Sequence, residues 1–134
     1  MATAVEGLVT LVSRYGQAET VDRLIAAVTG RGAAVVTRVD HAKAAASVGL
    51  SLPPTEVVGF GNPRAGTPLM QTAQTMGVDL PLRALVWTDA SGATRLSYND
   101  PEWLALRHGA AGGHEATIKA MREFLAAVAA AATG

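Results

Sequence analysis

The chain contains no cysteine, which excludes disulfides, thiolate metal sites and cysteine nucleophiles together and leaves the redox compartment open. It has no surplus of charge either, since eleven basic and eleven acidic residues cancel. Without a net field there is no general attraction to nucleic acid or anionic lipid, and neither is expected as a partner. Aromatic residues are sparse, two each of Trp, Tyr and Phe, too few for a base-stacking surface. The apolar stretch Leu125 to Ala132 falls far short of the ~20 residues that cross a bilayer. Met1 to Gly7 lacks the basic and long apolar stretches of a secretory leader. The expectation is a cytoplasmic protein without membrane contact.

What is present is apolar substance. At 134 residues and 49% hydrophobic composition, one domain spanning 1–134 is expected, burying roughly two-thirds of its unfolded-chain surface. Leu8 to Tyr15 reads as a first strand, with Leu8, Thr10, Val12 and Arg14 on one face. Val21, Leu24, Ile25 and Val28 have helical spacing within Glu19 to Thr29, and Gly30 and Gly32 supply the stop. Ala33 to Val39 is a second strand, expected to return beside the first. A short alanine-rich helix over Ala42 to Val48 follows, then the stiff connector Leu50-Ser51-Leu52-Pro53-Pro54.

Glu56 to Phe60 is a third strand containing Gly59, which suggests a bulge or a close backbone approach. Thr67-Pro68 is read as a hydroxyl cap plus proline that opens a helix from Pro68 to Thr75. Leu82 to Thr88 and Thr94 to Tyr98 form a hairpin around Asp89-Ala90-Ser91-Gly92, with both faces of its first strand expected to be covered. Asp100-Pro101 repeats the cap-plus-proline pattern and opens a helix ending at His108-Gly109. A last helix, His114 to Ala132, aligns Ile118, Met121, Leu125 and Val128 on one stripe, with a Glu115 to Lys119 ion pair.

Laid out in this order, the chain resembles the family called domain of unknown function 302. The residues carrying the likeness are Asp40-His41, Gly49-Leu50-x-Leu52-x-Pro54-Thr55, Phe60-Gly61-Asn62-Pro63-x-x-Gly66-Thr67-Pro68-Leu69-Met70, Asp79-Leu80-Pro81-Leu82-Arg83, Val86-Trp87-x-Asp89 and Tyr98-Asn99-Asp100-Pro101. The likeness as a whole covers about residues 7–130. The resemblance implies a TATA-binding-protein-like β-α-β4-α domain of α+β class. Its antiparallel sheet has about five strands, with two main helices on one face and short connecting helices. It also implies a homodimer and attaches no established activity. It supplies positions without roles: Asp40, His41, Asn62, Pro63, Gly66, Thr67, Asp79, Arg83, Tyr98 and Asn99.

Chemistry is less legible than fold. Gly59-x-Gly61 followed by Gly66 fits neither G-x-G-x-x-G nor the phosphate-loop spacing, and Gly-Lys-Ser/Thr is absent. No G-x-S-x-G elbow is present, which disfavours serine hydrolysis. His41, His108 and His114 lack close ligand spacing even with Asp79 or Asp100, so no metal and no cofactor is expected. The ligand-binding candidates are His41, Asn62, Arg64, Thr67, Asp79, Arg83, Tyr98 and Asn99, converging on a pocket between the sheet and Asn62 to Met70. Arg64 or Arg83 beside the Thr67-Pro68 helix start would suit a carboxylate or phosphate. On the scaffold alternative, Asn62 and Asn99 satisfy turn backbones and Arg83 pairs with Asp79 or Asp89.

Three functional readings follow. The first is a homodimeric domain that binds a small anionic or polar ligand. The second is a structural or protein-interaction module, and the third an acid/base enzyme centred on His41 with Tyr98 or Asp79.

Overall fold

The structure, a computed structural model, describes residues 4–134; Met1-Ala2-Thr3, part of the stretch read above as no leader, lies outside the described residues. Five strands, β1 (Leu8–Val12), β2 (Ala34–Asp40), β3 (Thr55–Gly61), β4 (Leu82–Thr88) and β5 (Thr94–Asn99), form one antiparallel sheet in the order β1-β5-β4-β3-β2. The helices are α1 (Gln17–Gly30), α2 (His41–Ser47), α3 (Pro63–Thr72), α4 (Pro101–His108) and α5 (Glu115–Thr133), with a 3-10 turn over Gln74–Asp79 between α3 and β4. The α+β class expected from the sequence is the class observed.

The two long helices, α1 and α5, pack against each other and cover one face of the sheet. Alternation sorts the strands: Val58 and Phe60 of β3, Leu82, Ala84 and Val86 of β4, and Leu96 and Tyr98 of β5 are buried on the helix side. They meet Val21, Leu24 and Val28 of α1 and the stripe Ile118, Met121, Leu125 and Val128 of α5. Burial of that stripe holds α5 on the sheet, since alanine-rich sequence alone gives helicity but no address.

Two sequence expectations are corrected by the sheet. β2 does not return beside β1; the two lie at opposite edges, because α1 packs across β4 and β3 before the chain re-enters the sheet. Nor are both faces of β4 covered. Among the described residues no helix packs on the side bearing Arg83, Leu85 and Trp87, so Arg83 is exposed and Leu85 and Trp87 are half-buried. Trp87 finishes its polar end there by donating from Nε1 to Ser97 Oγ at 3.0 Å, and Ser97 Oγ lies 2.8 Å from Thr10 Oγ1.

β2 carries a bulge. Val35 stands opposite Phe60 and Thr37 opposite Gly59, which leaves Val36 without a partner and turns it outward. Gly59 fits this place for a steric reason: a Cβ there would lie 2.4 Å from Thr37 Cγ2. The close approach expected at that glycine is thus made by the bulged neighbouring strand.

Candidate functional site

The helix after β3 starts five residues earlier than the Thr67-Pro68 pair suggests. Asn62 is the cap, its Oδ1 accepting from the Arg64 N–H at 3.0 Å, and Pro63 opens α3. Pro63 needs no N–H at the first helical position, and it takes precedence over Pro68, which sits inside the helix. The Thr67-Pro68 helix start is therefore absent, and with it the anion seat proposed there. The carbonyl of Asn62 already accepts from the N–H groups of Ala65 and Gly66, so little of the true helix start is open to a ligand.

A groove of about 780 Å³ lies between α3, the end of the sheet where β2 begins and β3 ends, and α5. One wall is Asn62 to Thr67 together with Met70; the other is Ala33, Ala34 and the bulged Val36. Its floor is Leu80, Pro81 and Leu82 with Thr117, Ala120, Met121 and Phe124 of α5. Those four α5 residues recur at the i, i+3, i+4, i+7 spacing of a second stripe beside the one buried in the core. Gly61 and Gly66 line the groove without side chains, and most other walls are alanine, methionine, leucine, valine or proline. The charged lining groups are both arginines, Arg31 and Arg64. Both are exposed, and neither has an ion-pair partner among the described residues.

Of the candidates expected to converge, the structure brings Asn62, Arg64 and Thr67 together on this groove. It sends the others elsewhere. His41 is the exposed first residue of α2 and lines neither this groove nor the second cavity described below. Its neighbour Asp40 is engaged as the α2 cap, accepting from the Lys43 N–H at 2.9 Å. Arg83 and Asn99 project on the face of the sheet that no helix covers, because their strand positions alternate with the buried ones. Arg83 pairs with neither Asp79 nor Asp89.

Asp79 instead accepts from Arg107 Nη1 at 2.7 Å and from His108 Nε2 at 2.5 Å, and His108 Nδ1 lies 2.9 Å from Thr75 Oγ1. Burial pushes the Asp79 carboxyl up, but the hydrogen bonds from His108 and Arg107 outweigh it and hold the group below its ordinary value. His114 makes a parallel contact, 2.6 Å from Thr72 Oγ1. Two of the three histidines thus tie the α3 and 3-10 segment to α4 and to the start of α5. Among the described residues no three His, Asp or Glu side chains cluster as metal ligands.

Asp89 serves its hairpin: it accepts from Ser91 Oγ, from the Ser91 and Ala93 N–H groups, and from Arg95 Nε at 2.6 Å. Tyr98 is buried on the helix side and lines a smaller cavity of about 390 Å³ with Val9, Asp100, Arg122 and Glu123. Its hydroxyl is pushed up chiefly by burial and then by the Asp100 carboxylate, with Arg122 opposing. The expected Glu115 to Lys119 pair is not formed. Glu115 accepts from the Gly113 N–H, and Lys119 reaches Glu123 at 3.9 Å.

The groove's remaining walls were missed by sequence reasoning. Arg31 lies between Gly30 and Gly32, which were read only as a helix stop, and Phe124 lay off the single stripe assigned to the last helix. The signal for the second stripe was in the spacing of Thr117, Ala120, Met121 and Phe124; for Arg31 there was none until the ends of β2 and β3 were known to be neighbours.

A five-stranded antiparallel sheet backed on one face by two long helices, with a largely apolar groove at its end, defines an α+β domain of this type. The chain belongs to the family described as domain of unknown function DUF302, whose model matches residues 9–130. It is 51% identical over 122 residues to a Brucella suis biovar 1 protein named fluoride-specific ion channel FluC 1, covering 90% of this chain and 48% of that protein. A Brucella melitensis biotype 1 protein named fluoride-specific ion channel FluC 2 matches at the same identity, with 45% of its length covered. The chain thus spans about half the length of these curated relatives. Among solved structures, an uncharacterized conserved DUF302 protein from Bacillus stearothermophilus superposes with a TM-score of 0.84 at 19% identity, covering 96% of this chain and 99% of that one. At that identity the likeness speaks for the fold. Among the described residues no helix is long and apolar enough to cross a membrane.

Proposed function

We propose that this chain is a small-molecule binding domain whose site is the groove between α3, the β2–β3 end of the sheet and α5. One observation carries the reading: a concavity of about 780 Å³ with walls from three separate elements, mostly apolar and bordered by Asn62, Thr67 and Thr117. That is the size and character of ligand sites in general. To the anionic or polar ligand expected from the sequence this lining adds an apolar body. A neutral solvatochromic dye such as Nile red should brighten on binding the protein. Ala120→Trp, which adds bulk at an exposed helical position on the groove, should abolish the signal without changing the circular dichroism. Equal brightening of parent and variant would remove the groove as the site.

A second reading has its own observation. The fluoride-channel relatives carry a segment like this chain in about half of their length, which favours a module that works beside a channel. On this reading the uncovered sheet face, with Leu8, Val12 and Val39 exposed, is where a partner or a second copy docks, in the cytoplasm. Light scattering across a concentration series, with Val12→Glu and Val39→Glu as variants, tests the homodimer. A monomer at every concentration would sink it. The acid/base reading finds no support in the position of His41, which lines neither cavity.

A further inference from the structure

The proposed groove carries charge of one sign, and that sign identifies the ligand more closely. β2 and β3 are antiparallel and Ala34 stands opposite Gly61. Arg31 precedes the first of these by three residues and Arg64 follows the second by three. The register therefore delivers both guanidinium groups to the same end of the sheet, where both line the groove. Among the described residues no acidic side chain lines it, and both arginines are without ion-pair partners. Apart from them and the neutral Asn62, Thr67 and Thr117 the lining is apolar, with Met70, Met121 and Phe124 on its walls and floor; methionines adapt to flexible apolar chains.

A largely apolar groove whose charged lining residues are two arginines, neither ion-paired among the described residues, is complementary to an amphipathic monoanion. Resting on the groove reading above, we infer that the ligand is a free acyl carboxylate, with its hydrocarbon chain along α5 and its head between Arg31 and Arg64. A guanidinium presents paired N–H donors that match a carboxylate's two oxygens. Exposed charges contribute modestly, so the tail supplies most of the affinity and the arginines set the preference for an anion.

The test is a titration of the full chain with straight-chain carboxylates from hexanoate to tetradecanoate, below their micellar concentrations, followed by calorimetry. Affinity should rise about fourfold per added methylene until the groove is full. Arg31→Gln and Arg64→Gln, both at exposed positions, should each weaken dodecanoate about two- to fivefold. Methyl dodecanoate should bind the parent as weakly as dodecanoate binds the double variant. Equal affinity for acid and ester, or a double variant that binds dodecanoate like the parent, overturns the inference. If Nile red still enters and is blocked by Ala120→Trp, the groove reading survives that failure; if it does not, both fall. Vesicles of phosphatidylglycerol form the last arm: sedimentation of the protein with them, without binding of free carboxylates, would assign the anion to a lipid surface and overturn the free-acid inference.

Discussion

The carboxylate of Asp79 lies 2.5 Å from Nε2 of His108, joining the end of the 3-10 turn to the last turn of α4. Arg107 donates to the same oxygen, and both Asp79 and His108 are largely shielded from solvent. Asp79→Asn retains the size of the side chain and discards its charge, so the variant should lose about 1–2 kcal/mol of stability, the range of a charge-assisted hydrogen-bonded pair near a surface. Urea denaturation measures it. A loss no larger than a few tenths of a kcal/mol would show that the clasp contributes little.

Acid should weaken the protein in a defined direction. Asp79 and Asp89 both have folded-state values below the ordinary 3.8. At Asp89 the side chain of Ser91 is the largest cause, followed by Arg95. A depressed value means that the unfolded chain binds protons first. The stabilisation is complete well above 3.8 and is lost as the pH falls through the ordinary value toward the folded ones. The melting temperature should decline below about pH 5, and the Asp79→Asn, Asp89→Asn double variant, less stable at neutral pH, should decline less steeply. Parallel declines would assign acid sensitivity to other carboxylates.

Asn62→Ala removes the α3 cap and should cost about 0.5–2 kcal/mol, whereas Asn62→Asp, which caps equally well, should cost little. Because α3 is one wall of the groove, amide exchange should quicken in Arg64 to Gly66 before it does in the sheet. Uniform exchange throughout the alanine variant would mean that α3 and the sheet open as one unit.

Gly7→Ala should be disproportionately damaging. Gly7 has φ +75°, and a Cβ there would fall 2.4 Å from Cδ2 of Trp103. The left-handed backbone alone costs about 1–2 kcal/mol for a residue with a side chain, and Trp103 must also move. Indole fluorescence should shift together with the urea midpoint. A variant with parental stability would mean that α4 is free to move away from β1.

Leu24→Ala tests the core beneath the sheet. Leu24 is fully buried, and its truncation should cost about 2–5 kcal/mol, depending on how far α1 and the sheet collapse into the gap. A cost under 1 kcal/mol, read from the same urea curves, would place α1 outside the cooperative core.

Much of this architecture was legible because it rests on local chemistry. Asp100-Pro101 opens α4 where the cap-plus-proline pattern expects it, and β4 spans Leu82–Thr88 as its alternation indicates. The same rule misplaced α3, since Asn62-Pro63 is an equally good start and stands upstream; the first competent cap sets the helix, and a later proline is then carried within it. Strand order was not legible. Nothing local in β2 states that its neighbour is β3 alone, or that β1 pairs with β5.

The site was less legible for the same reason. Asn62, Arg64 and Thr67 lie close together in sequence and were found together, but Arg31 joins them only through the β2–β3 pairing. Asp79, Arg83, Tyr98 and Asn99 were grouped as polar residues near strand ends and turns, and alternation across the sheet separates Tyr98 from Arg83 and Asn99.

The unpaired Val36 in β2 has a bearing on how these molecules meet one another. β2 is an outer strand, and its hydrogen-bonding edge breaks step midway along its length. An incoming strand could stay in step with only part of that edge, so ribbon-like growth from chain to chain is discouraged on this side of the molecule.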